Sequence, residues 1–211
     1  MTRAATDSNP SIRERQFKSI RDAAIEEFSL LGYKATSIQA IADRAGVPKA
    51  NVHYYFKNKQ NLYAEALSHI IELWNASFDE IEPDEDPAIA LDRLIRAKIK
   101  LSYTHASASR LFANEIIHGA DHLGHYLKND MRKWVREKSA ILQGWIDLKK
   151  MDPIDPVKLI FLIWSSTQHY ADFETQVLTI LNRAEYEPEM IDDIASFLSQ
   201  VILKGCGLKL Q

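Results

Sequence analysis

Cysteine is all but missing from this 211-residue sequence. Cys206 is the one thiol, so no intrachain disulfide can form, and such usage suits a reducing, cytoplasmic setting. Glycine and proline are scarce, at seven each, which leaves little for a turn-rich sandwich or barrel. Long apolar runs are absent too. The longest, Leu159–Trp164, holds six residues, against the roughly 20 of a membrane span. The opening segment Met1–Pro10 is polar and lacks the apolar core of a secretory signal. What is present is ordinary: 46% hydrophobic and 26% charged residues, enough for a core without metal or disulfide staples. These limits argue against a secreted, membrane-spanning or disordered chain.

The net charge of −3 hides an asymmetry. Residues 1–60 hold ten Lys/Arg against six Asp/Glu, whereas the other 151 hold 16 against 23. A basic first quarter on an acidic body is the balance that a small DNA-reading head requires.

Helical spacing runs through the whole sequence, and no stretch alternates with the period of a strand, so the fold class is all-α. Ile20, Ala24, Phe28 and Leu31 fall at i, i+4, i+8 and i+11 of a first helix over 11–31, which Gly32 stops. A short helix from Ser37 ends at Gly46, with Ile38, Ile41, Ala42 and Ala45 on one face. Pro48 opens a third helix that ends by Tyr55 or Phe56, since a missing N–H costs nothing in a first turn. Asn58 caps a fourth, reaching Phe78. The acidic, proline-bearing stretch 82–87 is the main break. Further helices are expected at 88–104, 106–118, 122–149, 156–182 and 188–204. The domain reading is a three-helix head over 1–57 and a helical body over 58–211.

The segment Ser37–Phe56 has the form of a helix-turn-helix. Gly46 permits the positive φ of a tight turn between two short helices, and Ile41, Ala42, Val47 and Val52 are spaced to pack them together. The second helix then presents Lys49, Ala50, Asn51, His53 and Tyr54 outward, where a major groove can receive them. Ala50 allows close approach and can meet a thymine methyl. Thr36 and Ser37 stand at a helix N-terminus that favours phosphate, Lys59 opens the fourth helix, and Tyr54 can reach backbone oxygens. The competing reading of the same residues is a helical hairpin with solvated charges.

The run Thr36-Ser37-Ile38-Gln39-Ala40-Ile41-Ala42-Asp43-Arg44-Ala45-Gly46-Val47 resembles the second helix and turn of the TetR family of bacterial regulators. Val52-His53-Tyr54-Tyr55-Phe56, with Lys59 and Leu62, resembles its recognition helix and the start of the fourth, and Ala23-Ala24, Phe28 and Gly32-Tyr33 also fit. Pro48 departs from the serine more usual there, which alters a phosphate contact rather than the fold. The resemblance implies a homodimer whose two heads bind adjacent half-sites of a near-palindromic double-stranded DNA operator, and a small-molecule effector that weakens this grip.

In the body, Ile160, Phe161, Trp164, Gln168 and Ala171 share one helical face, with Trp164 and Gln168 one turn apart. An indole beside a carboxamide suits a flat nucleobase, because the amide both donates and accepts. The same face would equally serve a dimer interface. Lys98 and Glu115 interrupt apolar stripes, as a buried ion pair, as ligand-facing groups, or as a snorkelling lysine and a solvated glutamate. Trp74, late in the fourth helix, lines a pocket or packs a core. Around 107–176 the sequence is similar to the pyrimidine-utilisation subgroup of the same family, above all over Phe161–Phe173. That similarity implies a uracil- or thymine-responsive regulator, with Trp164 and Gln168 in its pocket; Trp74 and Lys98, by their positions in the fourth and fifth helices, are candidate ligand-facing residues of the same pocket. Ile191, Ile194, Leu198 and Val201, with Phe197 and Ile202 beside them, form the apolar face of a last helix suited to dimerisation.

Other classes are weaker. No G-x-S-x-G, Walker or dinucleotide glycine motif is present, so no catalytic residue and no cofactor is expected. His118, His122 and His125 would align on an unbroken helix as metal ligands, but Gly119 and Gly124 argue for a solvated loop. A pocket of this kind could also accept a dihydropyrimidine, a hydantoin, a purine or an apolar molecule.

Overall fold

The computed structural model describes residues 11–78 and 81–209, with the backbone alone at 76–78. The polar Met1–Pro10 segment lies outside the described residues. Helices account for nearly all ordered structure, and no strand occurs among the described residues. No helix among them is long and apolar enough to cross a membrane. The chain divides into two compact units, 1–68 and 69–211, so the division falls inside one helix.

The first unit contains α1 (Ile12–Ala35), α2 (Ile38–Ala45), α3 (Lys49–Phe56) and the start of α4 (Lys59–Phe78). Ser11 opens α1 with a reciprocal cap: its hydroxyl accepts from the Glu14 N–H while the Glu14 carboxylate accepts from the Ser11 N–H. Gly32 does not stop α1 as expected. It kinks the helix at φ 73°, and one further turn follows before Thr36. Leu31, expected on one stripe with Ile20, Ala24 and Phe28, is exposed while those three are buried. Gly46 ends α2 in the left-handed region at φ 66°, as its turn requires. Asn58 accepts from the Asn61 N–H at 2.8 Å and so caps α4. Ile20, Phe28, Ile41, Val52 and Leu62 fill the centre of this unit.

The second unit contains the rest of α4, then α5 (Pro87–Thr104), α6 (Ala106–Ile117), α7 (Gly124–Tyr126), a π-helical segment (Leu127–Met131), α8 (Arg132–Asp147), α9 (Pro156–Asp172), α10 (Glu174–Leu181) and α11 (Pro188–Gly205). Asp86 and Asp155 cap α5 and α9, each followed by proline at the first helical position. Leu91, Ile95, Trp145, Leu159, Ile163, Leu198 and Ile202 form the core. The Trp145 indole N–H donates to the Pro83 carbonyl at 2.8 Å, which pins the acidic loop to that core.

Two expected helices are broken. The span 122–149 begins as a turn, because Ala120 at φ 59° and Gly119 at φ 101° redirect the chain, and it then passes through the π segment. The span 156–182 breaks at Phe173, whose φ −115° and ψ 30° separate α9 from α10.

Candidate functional site

Two sites follow from this scaffold, one in each unit. In the first, α2 and α3 pack through Ile41, Ala42 and Val52, all buried. This leaves Lys49, Ala50, His53 and Tyr54 exposed on one short helix, Tyr54 by 73% of its area, with Asn51 half-buried beside them. The exposed Ser37 hydroxyl caps α2 by accepting from the Ala40 N–H at 3.0 Å, and its own proton is left to donate at the helix N-terminus.

Two expected phosphate ligands are engaged inside the unit instead. Thr36 is buried, and its hydroxyl bonds the Gly32 carbonyl at 2.8 Å and the Glu27 carbonyl at 3.1 Å. The Gly32 carbonyl also accepts from the Thr36 backbone N–H at 3.3 Å, so both donors of Thr36 close the end of α1. The Lys59 ammonium donates to the carbonyls of Thr36 at 2.8 Å and Lys34 at 3.2 Å, over the Tyr33 ring at 4.7 Å. A cation at the C-terminal end of a helix is favoured there by the helix dipole. Arg44 joins α2 to α1 through Glu27 at 2.6 Å.

In the second unit a cavity of about 410 Å³ opens among α4, α5, α6, the π segment, α8 and α9. Trp74, Lys98, Trp164 and Gln168 all line it. Trp164, Gln168 and Asp172 stand at i, i+4 and i+8 on α9 and so present one column to it. Two aromatic pairs form walls. Trp74 meets Phe112 edge-on with ring centroids 4.4 Å apart, and Trp134 lies 5.8 Å from Trp164 at 30° between planes. Phe161, expected on the Trp164 face, is half exposed. Among the described residues no hydrogen bond holds the Gln168 carboxamide, so its donor and acceptor both remain for an occupant.

Lys98 is only 4% exposed, with its ammonium 5.7 Å from the Trp74 ring centroid. Burial pushes its pKa down from the ordinary 10.5 to about 7, partly offset by the Asp172 carboxylate. Burial likewise raises the Asp172 carboxyl above its ordinary value. The Ser109 hydroxyl, donating at 2.6 Å, together with Arg110 and Lys98, opposes that rise. Arg110 itself is paired with Glu174 at 2.8 Å.

Glu115 is buried but does not line the cavity. Its carboxylate accepts from the His122 N–H at 2.7 Å, holding the turn that follows α6. The solvated glutamate weighed from the sequence is therefore excluded. The histidines are dispersed: His118 Nδ1 faces the Asn114 carbonyl and His122 faces Glu115, and no group of three metal-ligating side chains forms among the described residues. The sequence reasoning missed Asp172, Phe112, Trp134 and Tyr126 as lining residues. Asp172 was within reach, being one turn beyond Gln168 on the same face. The others needed tertiary placement.

Comparison with known proteins agrees with both halves. Residues 20–66 match the model of the N-terminal domain of bacterial regulatory proteins of the tetR family. Residues 67–209 match that of the YcdC-like protein C-terminal region. The HTH-type transcriptional regulator RutR of Escherichia coli K12 is 38% identical over 188 residues, 89% of each chain. The ketosteroid transcriptional regulator KstR2 of Mycobacterium tuberculosis shares the fold at a TM-score of 0.70 and 16% identity, over 99% of this chain and all of that one. AibR, solved with isovaleryl coenzyme A and operator DNA, does so at 0.67 and 16%, over 88% and 97%. The described helix-turn-helix, the cavity in the second unit and these matches together show that the chain belongs to the TetR family and is a ligand-responsive, DNA-binding transcriptional repressor rather than an enzyme.

Proposed function

We propose that the effector is a pyrimidine such as uracil, bound in the cavity of the second unit, and that its binding releases a cytoplasmic homodimer from a palindromic operator. The observation that carries this reading is the convergence of Trp74, Lys98, Trp164 and Gln168 on one cavity. Its volume lies within the range of small-molecule sites, and its walls are apolar with a few polar groups, as such sites are. The Gln168 amide can accept from a ring N–H and donate to a ring carbonyl, Lys98 can donate to a second carbonyl, and the indoles cover the faces. The resemblance of Phe161–Phe173 to the pyrimidine-utilisation subgroup, together with the 38% identity to RutR, supports the same ligand class.

On the DNA side, the division of labour is a head over 1–57 and a ligand-binding, dimerising body over 58–211. Lys49, Ala50, Asn51, His53 and Tyr54 read the major groove, and the Ser37 hydroxyl binds phosphate. Dimerisation joins two short recognition helices into a site long enough for specificity. The exposed apolar side chains Phe161 and Leu162 on α9, and Phe197 and Val201 on α11, supply the surface for it. α4 carries residues of both units, and its displacement by a ligand at Trp74 couples the two sites. A hundredfold loss of DNA affinity needs about 2.7 kcal/mol of differential ligand binding.

Calorimetric titration with uracil, thymine, dihydrouracil and hypoxanthine tests the assignment. Uracil should bind once per chain at micromolar concentration, and Gln168→Ala should lose that binding. A folded dimer that takes up none of the four would refute the pyrimidine effector and leave the DNA-binding role untouched.

A further inference from the structure

The end of α3 is closed by a reciprocal pair of bonds between His53 and Lys57. Lys57 takes φ 64° and ψ −54°, a backbone shape that residues other than glycine seldom adopt. Its N–H donates to the His53 carbonyl at 2.9 Å, and its own carbonyl meets His53 Nδ1 at 3.1 Å. A carbonyl oxygen only accepts, so Nδ1 carries the proton. In a neutral imidazole the other nitrogen, Nε2, is then an acceptor without a hydrogen. It lies on the far side of the ring from the Lys57 bond, on a side chain exposed to solvent. Among the described residues it bonds nothing.

This fixes what His53 can meet. A phosphate oxygen also only accepts, and the neutral ring has no hydrogen left to offer it. In the major groove guanine presents acceptors at N7 and O6, and thymine one at O4. The hydrogens are presented by adenine N6 and cytosine N4. Lys49, one turn earlier on the same exposed face, only donates, so the two residues read opposite parts of the base-edge pattern.

We propose that His53 is an obligate acceptor of the recognition helix, selecting an amino base, adenine or cytosine, at one position of each half-site against guanine and thymine. The proposal rests on the reading of α3 as the groove-facing helix. It deepens that reading by naming the bases that one residue selects, and Lys57 as the backbone device that sets the choice.

The test has two arms, both on the full chain at about pH 8, where histidine is ordinarily neutral. Long-range proton–nitrogen NMR of protein with isotope-labelled histidine should place the His53 proton on Nδ1. Its signals are those missing from His53→Phe or, should that variant not fold, from His53→Ala. Selection from random duplexes should give one half-site position where adenine or cytosine exceeds guanine and thymine by about three- to tenfold, the value of one neutral hydrogen bond. Either variant should lose that preference and keep the salt dependence of binding, because no phosphate contact has gone. A proton on Nε2, or a lost preference that was for guanine or thymine, would overturn the proposal. So would a shallower salt dependence with every base preference intact, which marks a phosphate contact. Asn51→Ala is selected alongside. If it relaxes a position and the His53 variants relax none, the proposal falls alone. If none of them relaxes any position, α3 does not read the groove and both readings fall.

Discussion

In the head, the side chains assigned to a partner stand outside: Lys49, Ala50, His53 and Tyr54 project from α3 while Ile41 and Val52 hold the unit together beneath them. In the body, the corresponding groups are taken inside, where Lys98 and Asp172 lie in or beside a buried wall and both have perturbed protonation. An exposed site leaves stability to other residues. A buried one is paid for continuously by desolvation of its own charges. Substitutions should therefore separate function from stability in the head and entangle them in the body.

The largest effect is expected from Val52→Asp. A charge at this buried position finds no partner and costs about 3–5 kcal/mol. Operator binding, read by fluorescence anisotropy, should vanish, while uracil binding by calorimetry should persist. Loss of both would show that the two units fold as one cooperative structure, and the contrast would fail.

Lys98→Met probes the body. Between pH 7 and 10.5 the unfolded chain binds the lysine proton and the folded chain does not. Stability from this group therefore rises with pH across that window, by at most about 1.4 kcal/mol per pH unit, and is flat below it. Asp172 works in the other direction at acidic pH: its raised carboxyl keeps a proton longer in the folded state, so stability falls as pH rises through that interval. Thermal unfolding of Lys98→Met from pH 7 to 9.5 should lose the upward slope of the parent. An unchanged slope would mean that Lys98 is not the group that titrates.

A smaller pair of effects divides adjacent residues of the head. Thr36→Val should lower stability by about 1 kcal/mol through its lost internal hydrogen bonds, with the salt dependence of DNA binding unchanged. Ser37→Ala should cost about as much as a lost helix cap and also flatten that salt dependence. If both variants flattened it equally, the buried hydroxyl of Thr36 would not be the one held inside. Smallest of all, Lys49→Gln should leave unfolding within about 0.5 kcal/mol and reduce the salt slope by roughly one.

The contrast also explains what could be read from the residues alone. The head was legible because its boundaries are written in local chemistry: Gly46 needs a positive φ, Pro48 lacks an N–H, and Asn58 caps its own helix. Gly32 carried the same signal, but the consequence was a kink rather than a stop, and only the packed structure shows the carbonyls that Thr36 and Lys59 then satisfy. The body concealed more. Neither glycine nor proline marks the break at Phe173, and nothing in Leu127–Met131 announces a π segment. The α9 face was visible through its spacing. Its meeting with Lys98 and Trp74, drawn from two other helices, depends on distant contacts that periodicity does not encode.

The central claim is that a ligand in the buried site of the body loosens the exposed site of the head. It is tested most directly by measuring affinity for an operator selected from random duplexes, with and without saturating uracil, for the parent protein and for Gln168→Ala. The account predicts that uracil weakens the parent's grip about a hundredfold and leaves the variant's unchanged, with equal affinity of the two in its absence. Equal release of both proteins, or uracil bound to the parent without release, would contradict it.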